Sequence, residues 1–237
     1  MDRLSGADEL LDGPLDDRRA LVGNLRDLAR INRHFGGVRI SAEGIEVLAP
    51  GRAPVTVLDV GTGGADIPLA LIDRGRAAGR LLTVTGIDSR PEVLEAAAVA
   101  DRRVGATGEL ALRVGDGRAL PYPDGAFDLV HASLLVHHLE PEAARVVLSE
   151  MGRVARLGVI INDVVRGRPG LIGAWLFGHV LTRNRFTRYD APTSVRRAYT
   201  VAEMTALLAV AGLRVERRFD AIGRHRVALV ARRNGRP

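Results

Sequence analysis

Between residues 55 and 165, short apolar runs rich in β-branched residues alternate with helical stretches, and that alternation leaves few ways to build a core. The first run, Val55-Thr-Val-Leu-Asp-Val60, has no polar face and stops at glycines, as a strand buried on both sides does. Further strand-like runs are Leu81 to Ile87, Leu110 to Val114, Phe127 to Ala132 and Val159 to Val165. Helices are predicted from near Ala65, over 91–101 and over roughly 141–152, and the turn Pro123-Asp124-Gly125 leads into the fourth strand. Such units specify an open parallel sheet with helices on both faces. A helix over 201–211 then precedes Leu213 to Phe219 and Arg226 to Ala231, close enough together for a hairpin that adds an antiparallel edge.

Upstream, Leu21, Leu25, Leu28 and Ile31 recur at helical spacing, with Asp16 and Asp17 as starting caps and Gly36-Gly37 as a stop, so 17–35 reads as an amphipathic helix. A second helix is expected over 41–49. One domain is expected over 1–237, made of an N-terminal helical cap (1–50), a core (55–165), a lid or substrate insertion (166–199) and a C-terminal helix and hairpin (200–237). The fold class is α/β, Rossmann-like, with a seven-stranded, mostly parallel sheet and an antiparallel last strand.

Composition removes several chemistries. There is no cysteine, which excludes disulfides, thiolate zinc sites and cysteine nucleophiles. All 34 basic side chains are Arg, so a P-loop lysine and Schiff-base chemistry are excluded too. Residues 1–150 hold 17 Arg against 23 acids, whereas 151–237 hold 17 Arg against 5. A basic half attracts anionic partners, but with only 4% aromatic residues and no recognition-helix or zinc-finger pattern, nucleic acid is not an expected partner. No apolar run approaches the length needed to cross a bilayer, and Met1 to Asp17 does not read as a secretory signal, so a cytoplasmic location is expected.

In a sheet of this kind ligands bind beyond the carboxyl ends of the strands, beside the first one. There Leu58-Asp-Val-Gly-Thr-Gly-Gly-Ala-Asp66 forms a glycine turn that lets a ligand approach the backbone. Nicotinamide enzymes share such a loop. Asp59 and Asp66, however, place negative charge where a pyrophosphate would sit, and they suit a cationic ligand with an amino group better. Asp88, ending the second strand, can accept two ribose hydroxyls, and Asp116, ending the third, can accept a base amino group. Each carboxylate taken singly is also a plausible cap or turn residue.

In this order, the Leu58 to Gly63 loop, Gly86-Ile-Asp88, Gly115-Asp116, Leu120 to Val130, Ser133 and His137-His-Leu139 resemble the class I S-adenosylmethionine-dependent methyltransferases. The resemblance implies S-adenosyl-L-methionine as cofactor. It places Gly61 and Gly63 beside the methionine part with Asp59 near its amino group, Asp88 and Ser89 at the ribose, Asp116 and Gly117 at the adenine, and Ala132 and Ser133 along the pocket. Alanine at 65 replaces a third loop glycine.

For the acceptor, His131 reads as a packed strand residue, while His137 and His138 follow the strand at the functional rim. His138 is the candidate general base, and Asp163, ending the fifth strand, is a second base or an acceptor that orients a His. A metal site built from His131, His137 and His138 has no matching ligand pattern, and none is expected. In the insertion, Trp175, His179 and Arg197 are the candidate substrate-binding residues, and the arginines there suggest an anionic group or peripheral membrane contact. Looser similarity of Ile31 to Gly37 and Ser194 to Thr200 to quinol and phenolic-lipid methyltransferases of bacterial secondary metabolism suggests O-methylation of a small lipophilic phenol or quinol. C-methylation of a quinol ring, and an inactive binding module with the cofactor fold, are the alternatives. Oligomeric state is not legible.

Overall fold

Each of the sequence-predicted strands is present in the computed structural model, which describes residues 1–7 and 9–235. They are β1 (Val55–Val60), β2 (Leu82–Asp88), β3 (Leu110–Val114), β4 (Phe127–Ser133), β5 (Ala155–Val164), β6 (Leu213–Asp220) and β7 (Arg226–Arg233). They form one sheet in the order β3-β2-β1-β4-β5-β7-β6. The first five strands pair in parallel, and β7 runs antiparallel to both β5 and β6. The strand order reverses between β1 and β4, so the crevice for a ligand opens above their carboxyl ends.

The helices are α1 (Arg18–His34), α2 (Gly37–Leu48), α3 (Asp66–Ala77), α4 (Pro91–Ala100), α5 (Pro141–Val154), α6 (Arg168–Leu176), α7 (Arg185–Arg197) and α8 (Val201–Val210). The α1 cap is as expected, with the Asp17 carboxylate accepting from the Ala20 amide at 2.9 Å. Helix α2 starts at Gly37 rather than 41. The cause is Gly36, whose φ of +91° lets the chain turn sharply from one helix into the next. Strand β5 starts at Ala155 rather than Val159, because Ala155 already pairs with Phe127 and Arg156 is held by the Asp128 carboxylate.

Strand alternation sorts the core into two faces. Val57, Val84, Leu129 and Ile160 pack with Ile40, Ile45 and Ile72 of α2 and α3, whereas Leu58, Val130, Ala132 and Ile161 pack with Leu148 and Met204 of α5 and α8. A third cluster joins Leu21 and Leu25 of α1 to Val93 and Ala96 of α4, above the carboxyl edge of the sheet. Between α6 and α7 the chain makes one π-helical turn, Phe177–Leu181. Among the described residues no helix is long and apolar enough to cross a membrane.

Candidate active site

A cavity of about 1140 Å³ lies over the carboxyl edge of the sheet, between the β1 loop, α1 and the α6 to α7 segment. Its floor is the glycine loop. Gly61 and Gly63 hold φ values of +69° and +52°, which place the backbone in a conformation that side chains resist. A Cβ on Gly63 would meet nothing within 4 Å, and one on Gly61 would press against Leu135 at 2.9 Å, so the loop is an open cradle along one side. Ala65, where the third glycine is missing, takes up a left-handed φ of 55° itself.

The acidic residues read from the sequence converge on this loop. The two Asp88 oxygens accept from the Gly63 amide and the Arg90 amide, both at 3.0 Å, which aims the carboxylate across the cavity. Burial raises the pKa of Asp66 and of Asp88 above the usual carboxylate value, and the charge of Asp59 adds to the rise in both. These acceptors would repel a phosphate and suit a cation with hydroxyl groups, which fits an adenosyl sulfonium carrying an amino group. Ser89 and Gly117 line the same wall. Asp116 lines the cavity at an exposed position, its oxygens engaged by Arg118 at 3.1 and 2.8 Å. That pairing holds its pKa below the ordinary value.

Asp59 is buried, and one of its oxygens meets His131 Nδ1 at 2.6 Å. His131 is thus a packed residue, as expected, but its role is polar. Its Nε2 meets Ser41 at 2.8 Å; the Asn162 amide donates to Ser41 at 2.7 Å, and Arg226 donates to Asn162, Asn32 and Ser133. Asn32 in turn donates to Asp66 at 2.9 Å. The chain of contacts fixes the carboxylates from beneath. Burial lowers the Arg226 pKa to about 10, against the pull of Asp163 and Asp66, and at that value it keeps its charge.

Ala132 is a correction. It is a core residue and does not line the cavity, because strand alternation turns its side chain toward α5 while Ser133 faces the cavity side.

On the acceptor side, Val136–His138 forms one 3₁₀ turn that brings both His rings to the wall, 4.2 Å apart between centroids. Asp163 does orient a histidine, but that histidine is His137: Nδ1 to Oδ1 is 2.7 Å, and the His137 amide donates to the other oxygen at 3.1 Å. Asp163 is fully enclosed and does not reach the cavity, so it is not a second base. Burial alone would raise its pKa, yet the charge and hydrogen bonds of His137 outweigh that and lower it. His138 lines the cavity, and its Nδ1 meets Asp12 at 3.0 Å.

The N-terminal segment contributes Glu9, which nothing in the sequence pattern marked. The amides of Leu10 and Leu11 donate to Asp190 at 2.7 and 3.3 Å, and Arg90 holds the Leu11 and Gly13 carbonyls. Pinned this way, Glu9 is 3% exposed with Oε1 3.6 Å from His137 Nε2. Burial pushes its pKa up to about 7, with His138 opposing and Asp190 adding.

The three substrate residues expected in the insertion lie elsewhere. Trp175 and His179 stack on each other at 4.5 Å, both exposed, on the outer face of the α6 to α7 segment. Gly170, Gly173, Ala174, Phe177 and Leu181 face inward instead, a stripe at helical spacing that leaves residues 175 and 179 turned away. Arg197 is buried behind the wall, donating to Asp12 at 2.5 Å and to the His138 carbonyl at 2.7 Å, so it positions these groups and does not contact the cavity.

Residues 57–158 match the family described as a methyltransferase domain. The chain is 40% identical over 119 residues to a phosphatidylethanolamine N-methyltransferase of Cereibacter sphaeroides, a match covering 48% of this chain and 54% of that protein. It is 42% identical over 84 residues to a demethylmenaquinone methyltransferase of Thermus thermophilus, covering 35% of each. The chain therefore spans about half or less of the length of these curated relatives. Among solved structures, the O-methyltransferase family 2 protein of Planctomyces limnophilus in complex with apigenin has the same fold, with a TM-score of 0.67 at 19% identity over 92% of this chain and 62% of that one.

Proposed function

We propose that the chain is an S-adenosylmethionine-dependent methyltransferase that O-methylates a small lipophilic phenol or quinol, with a cytoplasmic location and a role in secondary metabolism as part of that reading. The observation that carries it is that the acidic glycine loop and an apolar lid face one continuous cavity of about 1140 Å³. A site for one drug-sized ligand is about 300–1,000 Å³, so this space suits two ligands side by side. Relatives named for a phospholipid and for a quinone support a lipophilic acceptor.

The bound cofactor supplies an electrophilic methyl group. The chain supplies position and field. Asp59, Asp66 and Asp88 hold the positive ligand, and Asp88 takes its hydroxyls. Leu28, Ile31, Phe177 and Val195 enclose the apolar acceptor and exclude water. His137, His138 and Glu9 form the polar wall that receives the acceptor hydroxyl. C-methylation of a quinol ring is the second reading, favoured by the similarity to demethylmenaquinone methyltransferase.

The test begins with calorimetric titration of S-adenosylmethionine and S-adenosylhomocysteine, with NADPH as control. Saturable binding of the adenosyl ligands alone is expected, followed by transfer of labelled methyl to alkylphenols or quinols, with the product bond assigned by NMR. Absence of adenosyl binding overturns the reading. Binding without transfer to any acceptor makes the chain a binding module with this fold.

A further inference from the structure

We propose that Glu9, His137 and His138 bind one first-row divalent metal ion, of the zinc and manganese class, at the cavity wall. Their donor atoms all lie within 4.8 Å of one another. Glu9 Oε1 is 3.6 Å from His137 Nε2, and Glu9 Oε2 is 3.9 Å from His138 Nε2. Both separations exceed a hydrogen bond. Two atoms each about 2.0–2.2 Å from a common ion can lie no more than ~4.4 Å apart, and both separations fall within that limit.

Two of these atoms make no hydrogen bond, although Arg197 Nη1 stands 4.0 Å from Glu9 Oε1. Glu9 Oε1 and His137 Nε2 are enclosed and have no hydrogen-bond partner, although their side chains are only 2% and 3% exposed. Leaving such a pair unsatisfied is destabilising. An ion between them satisfies both at once.

The surroundings select the ligating form of each imidazole. His137 Nδ1 faces Asp163 at 2.7 Å, and His138 Nδ1 faces Asp12 at 3.0 Å. A carboxylate behind Nδ1 keeps the proton there and leaves the Nε2 lone pair free, the arrangement that supports metal-bound histidines. The supporting carboxylates are held in their turn. The Val164 amide donates to Asp163 at 2.7 Å, and Arg197 donates to Asp12 at 2.5 Å. Two imidazoles and one carboxylate favour zinc, manganese or iron over magnesium and calcium, which prefer all-oxygen sites.

Three protein ligands leave coordination positions open toward the cavity, as in catalytic sites rather than structural ones. An acceptor hydroxyl would replace a water on the ion and release its proton to solvent, because the ion lowers the pKa of a bound oxygen. That role rests on the methyltransferase reading above; the binding of the ion does not.

The experiment uses the full chain, stripped with a chelator and titrated with Zn²⁺ and with Co²⁺, with Mg²⁺ as control. One Zn²⁺ per chain with micromolar or tighter affinity is expected, with Co²⁺ giving a visible absorption band of an imidazole-ligated site. Glu9→Gln and His138→Gln should each weaken binding at least tenfold while circular dichroism stays native, and Asp12→Asn should weaken it about 10–100-fold through His138. Adenosyl-ligand affinity, measured on the same samples, should be unchanged. No binding to the wild-type chain, or binding that both ligand variants leave intact, overturns the metal site. Loss of adenosyl binding in the wild type would instead sink the methyltransferase reading and leave the metal result standing.

Discussion

Asp66 and Asp88 hold charge beside the glycine loop against a cost that a cationic ligand relieves. For Asp66 the folded pKa is raised by burial above its unfolded value, so its stabilising effect is present below that unfolded value, near 3.8, and is lost as pH rises through the folded pKa. Asp66→Asn, which can keep the bond from Asn32, should therefore raise the melting temperature at pH 7–8 and give no gain near pH 3, while weakening the adenosyl ligand. A melt series against pH checks this, and equal shifts at both ends contradict it. Asp88→Ala removes the acceptor for two hydroxyls, each worth about 1.5–3 kcal/mol when the acceptor is charged, and calorimetry should show affinity for S-adenosylhomocysteine down at least tenfold. Residues of this kind were legible because a strand end fixes where its side chain goes. Glu9 was not legible, since its place depends on Asp190 and Arg90 gripping an irregular segment from distant parts of the chain. The partner of Asp163 was half legible: the sequence offered two adjacent histidines, and only the turn of the 3₁₀ segment decides which faces it.

At the scale of elements, strands and helices were readable from period, and the errors in α2 and β5 are shifts at their ends. The lid was misread for a physical reason. Its large residues invite an inward reading, but small Gly170, Gly173 and Ala174 face the cavity, where bulk must be spared for a ligand, and Trp175 is left outside. The π turn matters to this placement. Gly178 lies so close to α7 that a Cβ would be 3.2 Å from the Arg188 Cα. Gly178→Val should push the turn off α7 at a cost of about 1–3 kcal/mol in local packing. The acceptor KM should rise several-fold, while affinity for S-adenosylhomocysteine, held by β1 and β2, stays as it was. A matching loss of cofactor affinity would show that the lid and the loop do not act separately.

Over the whole molecule, exposed apolar and basic residues concentrate in the insertion between β5 and α8. Ile172 and Trp175 are 61% and 52% exposed, Val180 and Leu181, which line the cavity, are also 70% and 60% exposed, and Arg183, Arg185 and Arg188 stand exposed in the same insertion. Amphipathic Trp and basic residues together suit an interface between water and lipid. The excess of Arg over acids in the second half of the chain, 17 against 5, points the same way. An acceptor dissolved in a membrane would then enter the cavity from the lid side without crossing water. Each Arg near an anionic surface adds about 1 kcal/mol, so replacing Arg183, Arg185 and Arg188 with Glu should weaken co-sedimentation with phosphatidylglycerol vesicles by more than about 100-fold at low salt. Trp175→Ala should weaken it more modestly and with less dependence on salt, since the ring contributes apolar area rather than charge. Methyl transfer to a short, water-soluble acceptor should be unchanged in both variants, and equal vesicle binding by wild type and the triple variant would rule the lid out as a lipid-facing surface.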